Sequence, residues 1–473
     1  MLAQKRPTLH RQLFSNQLWE TIAFIAKAIF MIGLTPWMLH NWGPEGYGEF
    51  ALASSAFVLL SLADLGLRGR TRVALSKVVS DNAASASLLS HALVAFAALC
   101  LVALVLVALC TSLHIWSAVF GIDRPHENII FVVTTLTLPY MFVTIALEPC
   151  VARGHIGLVK LANALGWMAA SLVAAVLLWR GASVTAVVAG WIGALLVTAL
   201  GVALLRFDEL RPLLRLREIT TAKLCLTYRD TFSFTVSNVT WAAKTHAITF
   251  VLASVGSVTV AGTFFICLRM AEIISALGAV SFDVALVALP ASRSAEERAS
   301  VFYSILRCAL VCTVPCALII VAAAPLFFTL WLKAPAPFGV LTGMCIAAVG
   351  FSIAASRFLS YTGLSLGAGG VVARCGIAEL TFGIAGTFLL EPLYGLKGTM
   401  ISLAAATFLY LPVVIAIRKQ LYQDKMRSLA PSCTGELMLS PPVRDFRFRV
   451  RQTLACPPAC IRPAPEVRRI LIS

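Results

Sequence analysis

The segment Ala92–Cys110 is apolar throughout and carries no charged side chain. A run of about 18 or more such residues can cross the hydrocarbon core of a bilayer as a helix, which satisfies its own backbone polar groups where no water can. Comparable blocks recur between Val58 and Leu330. Composition agrees, with 59% of the residues hydrophobic and 13% charged, where a soluble domain averages roughly 45–50% and about 25%. The chain therefore reads as an all-α polytopic membrane protein.

Hydropathy over windows of about 19 residues places spans at Gln17–Leu39, Gly48–Leu67, Ala86–Thr111, Ile129–Glu148, Leu158–Trp179 and Val184–Leu205. After a polar stretch, six more follow at Phe232–Ala253, Val260–Leu286, Ile305–Trp331, Phe338–Ser360, Val371–Leu390 and Leu396–Ile417, giving about twelve in all. Basic residues alternate from loop to loop. Lys5, Arg6 and Arg11 precede span one, Arg68, Arg70, Arg72 and Lys77 follow span two, and Arg206, Arg211, Arg215, Arg217, Lys223 and Arg229 follow span six. The loops of the other side hold only Arg124, Arg180, Lys333 and Lys397. Cytoplasmic loops collect Lys and Arg, so both termini are expected in the cytoplasm.

The resulting organisation is a cytoplasmic segment 1–16, a six-helix lobe 17–205, a basic linker 206–230, a second six-helix lobe 231–417 and a tail 418–473. The lobes start on the same side of the membrane, as in a parallel repeat about an axis along the membrane normal. The turn beginning Gly43-Pro-Glu-Gly-Tyr-Gly-Glu-Phe has a weak counterpart in Gly256-Ser-Val-Thr-Val-Ala-Gly-Thr-Phe. The tail holds eleven Lys/Arg against four Asp/Glu, and so supplies +7 of the net +16. Its prolines at 431, 441, 442, 457, 458, 463 and 465 prevent a long helix. A disordered tail lying on anionic headgroups of membrane lipids is expected, and nucleic acid is not.

Charges inside spans are costly unless paired or facing a wet interior, so they mark function. Lys27 and Lys244 lie near the middles of spans one and seven, corresponding helices of the two lobes. If they face each other across a central cavity they favour an anion such as a pyrophosphate. The other reading is that each is neutralised by a carboxylate or snorkels. Arg269 and Glu272 share one face of span eight and are expected to pair, with Arg269 adding to the field of the cavity. Asp64 is expected to pair with Arg68, its i+4 neighbour. Glu148, Arg357, Arg374 and Glu379 fall towards cytoplasmic helix ends, where gate or scaffold contacts are expected. Glu20, Asp64, Glu272 and Glu379 are candidate coupling or gating carboxylates. Thirteen cysteines lack the His or acidic neighbours of a metal site, and no phosphate-binding glycine loop or catalytic triad is present. No metal or cofactor is expected, and no enzymatic activity.

The segments Trp42-Gly-Pro-Glu-Gly-Tyr-Gly-Glu-Phe-Ala-Leu and Leu62-Ala-Asp-Leu-Gly-Leu-Arg-Gly-Arg resemble the polysaccharide flippases. These are the Wzx-type members of the multidrug/oligosaccharidyl-lipid/polysaccharide (MOP) exporter superfamily. The motif comprises Gly43, Tyr47 and Gly48 entering span two, then Asp64 and Gly66 at its inner end; Phe264–Glu272 and the turn at Leu393-Tyr-Gly-Leu-Lys-Gly are similar by placement. The resemblance implies two pseudo-symmetric six-helix lobes around a central cavity in the bacterial inner membrane. It implies alternating access that moves undecaprenyl-diphosphate-linked oligosaccharide to the periplasmic leaflet for O-antigen, capsule or exopolysaccharide. Lys27, Lys244 and Arg269 would be its cavity cations, and polysaccharide polymerase or assembly proteins candidate partners. A drug/cation antiporter of the same superfamily is the competing reading, and a membrane polysaccharide-processing enzyme a more distant one.

Overall fold

A computed structural model describes residues 22–23, 25–64, 66–68, 71, 75, 82–113, 124–152, 156–211, 235–236, 238–240, 242–291, 295–333, 337, 339 and 341–429. Glu20, most of the linker and nearly all of the tail lie outside the described residues. The protein is all-α and polytopic, with two six-helix lobes. Among the described residues, nine helices are long and apolar enough to cross a membrane, and they coincide with spans three to six and eight to twelve.

Spans one, two and seven are not among these nine, and their helices carry interruptions. Span one carries a π-helical turn at Ile29–Gly33, then runs into the helix Thr35–Leu60. That helix is bent at Gly43, whose φ of 70° and ψ of −178° separate the end of span one from span two. A side chain disfavours this left-handed φ, which accounts for glycine before Pro44. Asn41 and Trp42 fix the bend by donating to the carbonyls of Leu178 (2.6 Å) and Ala182 (2.9 Å) beside the turn between spans five and six. Span seven has a π-helical turn at Ala243–Ala247 followed by the short helix Ile248–Val255. Corresponding helices of the two lobes thus carry the same irregularity beside their midspan lysines, and such bulges concentrate at functional sites.

The remaining spans are Asn82–Ser112 (three), Arg124–Ala146 (four), Ile156–Trp179 (five), Val184–Leu205 (six), Val258–Ala291 (eight), Ala295–Leu326 (nine), Leu341–Ser365 (ten) and Gly369–Tyr394 (eleven). Span twelve runs from Leu396–Ala406 through a 3₁₀ turn at Thr407–Tyr410 into Leu411–Leu429. Spans three and nine, again equivalent, are the most peripheral, with 22% and 17% of their apolar windows buried against 67% for span eight. Their outer faces present Leu101, Val105, Val311 and Leu318, as a lipid-facing surface requires.

Phe30, Phe50, Phe57, Trp167 and Trp191 pack the first lobe's interior, with centroids of Trp191 at 5.0 Å from Phe57 and 5.1 Å from Phe30. Between the lobes, spans two and eight meet at Gly48 and Gly262, the paired glycines of the two turn motifs. A Cβ on Gly262 would lie 3.1 Å from the Gly48 Cα, and one on Gly48 would fall 2.8 Å from the Val258 carbonyl carbon. Backbone therefore rests on backbone where the lobes touch. Gly48→Ala is expected to separate the lobes at this end and to lower the unfolding midpoint in detergent. Gly201→Ala in span six, where a Cβ meets open space, is expected to leave both unchanged. Spin-label distances across the 48/262 contact check this.

Candidate functional site

A cavity of about 90 Å³ lies between the lobes, lined by Lys27, Ala28, Met31 and Ile32 of span one and by side chains of spans eight and ten. Its charged residues are Lys27, Arg269, Glu272 and Arg357, three cations against one carboxylate. The Lys27 ammonium lies 5.7 Å above the Trp167 ring of span five. Such a cation–π contact holds the charge without neutralising it. Arg269, 3% exposed, pairs through Nη1 with Glu272 and stacks 4.2 Å over Phe265. Among the described residues its Nε and Nη2 have no hydrogen-bond partner, and neither does Ser275 Oγ in the same lining. Buried donors without acceptors are costly, and an anion in the cavity would satisfy them. His246, fully buried, stands behind this wall with Nε2 3.2 Å from Glu272 Oε1.

Lys27 lines this cavity, and Arg269 pairs with Glu272 as the spacing predicts. Lys244 does not face Lys27. It is 1% exposed and sealed inside the second lobe, where Nζ donates to Glu379 Oε1 at 2.5 Å, Ser352 Oγ at 2.9 Å and Thr407 Oγ1 at 3.2 Å. Four helices thereby converge on one ammonium. Glu379 is correspondingly this lysine's counter-ion, the scaffold contact of the two kinds expected for it. Arg68 leaves its expected partner as well: its Nε donates to Glu148 Oε1 at 2.6 Å, while Asp64 accepts from the Gly66 amide at 2.9 Å. The cause is local, because the chain tightens into a 3₁₀ turn at Ser61–Asp64 and reverses at Gly66 (φ 73°), so i and i+4 no longer share a face. Tyr47 of the turn motif is buried, its hydroxyl 3.5 Å from that of Thr35.

The sequence reading did not place Arg357 in the site. Span ten extends to Ser365, which moves this residue from a helix end to cavity depth. Its guanidinium lies 5.7 Å over Tyr361, and it also lines a second small cavity with Glu379, Tyr410 and Asn238.

No protein-family model and no curated protein matches the sequence. The structure does match solved transporters. It aligns with the inward-facing conformation of a multidrug resistance MATE family transporter of the MOP superfamily at TM-score 0.68 and 14% identity, over 88% of this chain and 99% of that one. The outward-facing conformation of such a transporter gives 0.67 and 14%, over 88% and 96%. The MATE multidrug transporter DinF-BH in complex with R6G gives 0.66 and 14%, over 90% and 98%. The chain has the MATE fold. Twelve helices in two lobes is the arrangement of that fold.

Within this MATE fold the Lys244–Glu379 pair is a scaffold element. Lys244→Ala leaves a buried carboxylate without a counter-charge and is expected to cost about 3–5 kcal/mol, read as a lower unfolding midpoint in detergent. Lys244→Met combined with Glu379→Leu is expected to be milder than either single change.

Proposed function

We propose that the protein is a flippase for lipid-diphosphate-linked oligosaccharide, working by alternating access of its two lobes in the bacterial inner membrane with both termini cytoplasmic. The observation that carries this reading is the cavity between the lobes, where Lys27, Arg269 and Arg357 outnumber Glu272 and where Nε and Nη2 of Arg269 lack acceptors among the described residues. Guanidinium and ammonium groups hold phosphate oxygens by charge-assisted hydrogen bonds. In this reading Lys27 and Arg269 hold the diphosphate, Arg357 adds to the field, and the sugars extend along the lobe interface. Membrane lipids surround the complex, and polysaccharide polymerase or assembly proteins would take the product.

Multidrug transport is the second reading, favoured by the multidrug transporters among the structural matches. The two differ in the sign of the ligand, since a cavity with excess positive charge disfavours a cationic drug. A strain lacking its own flippase should regain surface polysaccharide when it carries this gene. Lys27→Ala and Arg269→Ala should each lower the yield by about tenfold, the worth of one charge-assisted hydrogen bond, at unchanged membrane expression. Full complementation by both alanine variants would overturn the cavity assignment, and drug resistance without complementation would favour the second reading.

A further inference from the structure

His246 occupies the π-helical turn of span seven and touches both lobes. On one side its Nδ1 lies 3.4 Å from Ser55 Oγ of span two. That hydroxyl donates its proton to Thr249 Oγ1 at 3.2 Å, so towards the imidazole it presents a lone pair. On the other side Nε2 lies 3.2 Å from Glu272 Oε1 on the cavity wall, within ion-pair distance but with no hydrogen-bond partner among the described residues. Both ring nitrogens therefore face acceptors. A neutral imidazole has one N–H and can satisfy only one of them, leaving its other lone pair opposed to oxygen. The imidazolium has two N–H groups and a charge that pairs with the Glu272 carboxylate.

We propose that His246 is a proton-binding site linked to occupancy of the anion cavity. The proposal rests on the anionic-ligand reading above and names the ion that would couple to it. The charged groups around His246 fix the sign of the linkage. Span eight contributes Glu272 and Arg269 and span one Lys27, while Lys244 of the histidine's own turn is paired with Glu379 of span eleven. Span two contributes the Ser55 hydroxyl. A proton on His246 gives Glu272 a second cationic partner beside Arg269. The wall behind the cavity then carries one more positive charge, and Arg269 is freer to donate to a ligand. Protonation thus strengthens anion binding, and by reciprocity a bound anion draws a proton onto His246. Glu272 lines the cavity and offers the path by which that proton arrives. Histidine suits the task because its ordinary titration falls between about pH 5 and 8.

The test uses the full chain in lipid nanodiscs, with inorganic pyrophosphate as the probe and His246→Asn as the variant. Calorimetry at about pH 6 and pH 8 should show wild-type affinity falling about tenfold more than that of the variant. The probe's own titration is common to both and cancels in the ratio. Buffers of different ionisation enthalpy should show extra proton uptake on binding in the wild type. Ser55→Ala, which spares the cavity lining, should shift in the same direction with smaller amplitude, and it carries the test if the histidine variant does not fold. Superimposed pH profiles with equal proton uptake would overturn the proposal. Should pyrophosphate bind to neither protein, the anion reading fails by itself. The proton site is then decided without ligand, by the unfolding midpoint between about pH 5.5 and 8. Diverging wild-type and variant profiles support it, and parallel ones overturn it.

Discussion

A charged side chain in the hydrocarbon layer must be paired, hydrogen-bonded or wetted, since an isolated one costs several kcal/mol. That constraint organises the interior of this protein. Lys244 meets it by complete enclosure, with a carboxylate and two hydroxyls around one ammonium. Arg68 and Glu148 meet it by a direct bond between the end of span two and span four. Lys27, Arg357 and the Arg269–Glu272 pair are gathered where the lobes leave space between them. They are also the groups whose balance is positive, so the constraint that shapes the interior also decides the sign of the cavity.

The two halves solve the same problem in opposite ways. Lys27 and Lys244 occupy corresponding helices, the first just before a π-helical turn and the second within one. In the second lobe, span eleven brings Glu379 against the ammonium. In the first lobe, the equivalent span five brings Trp167, a ring that attracts the charge without cancelling it. One aromatic-for-carboxylate difference between equivalent helices turns one lysine into scaffold and leaves the other facing the cavity.

These contrasts mark how far the sequence could be read. Span number and the two-lobed arrangement were legible because hydropathy and loop charge are summed over many residues. The Arg269–Glu272 pair was legible because three residues along an unbroken helix share a face. The partner of Lys244 was not, because Glu379 is 135 positions away and no local rule selects it. Asp64 and Arg68 misled through the same i,i+4 rule that served span eight, since the α-helix on which the rule depends ends at Leu60, before both of them. Arg357 was lost to a boundary, as its helix extends five residues beyond the window that bounded it.

The distribution of strong and weak contacts bears on how such a molecule can move. The ion pairs Lys244–Glu379 and Arg68–Glu148 each join helices of a single lobe, and breaking either exposes a buried charge. They hold each lobe as a body. The contacts traced between lobes are lighter: glycine backbone at Gly48 and Gly262, the Ser55–Thr249 hydroxyl pair at 3.2 Å, and the Tyr47–Phe265 edge contact at 6.4 Å. None of these strands a charge when it opens. Rigid-body rocking needs this division, with the cost of separation low at the seam and high within the halves. His246 is the exception at the seam, because its ring lies between Ser55 of one lobe and the Glu272 carboxylate of the other, and a proton on it would change both contacts. It is therefore the contact there whose strength can change while the chain stays the same.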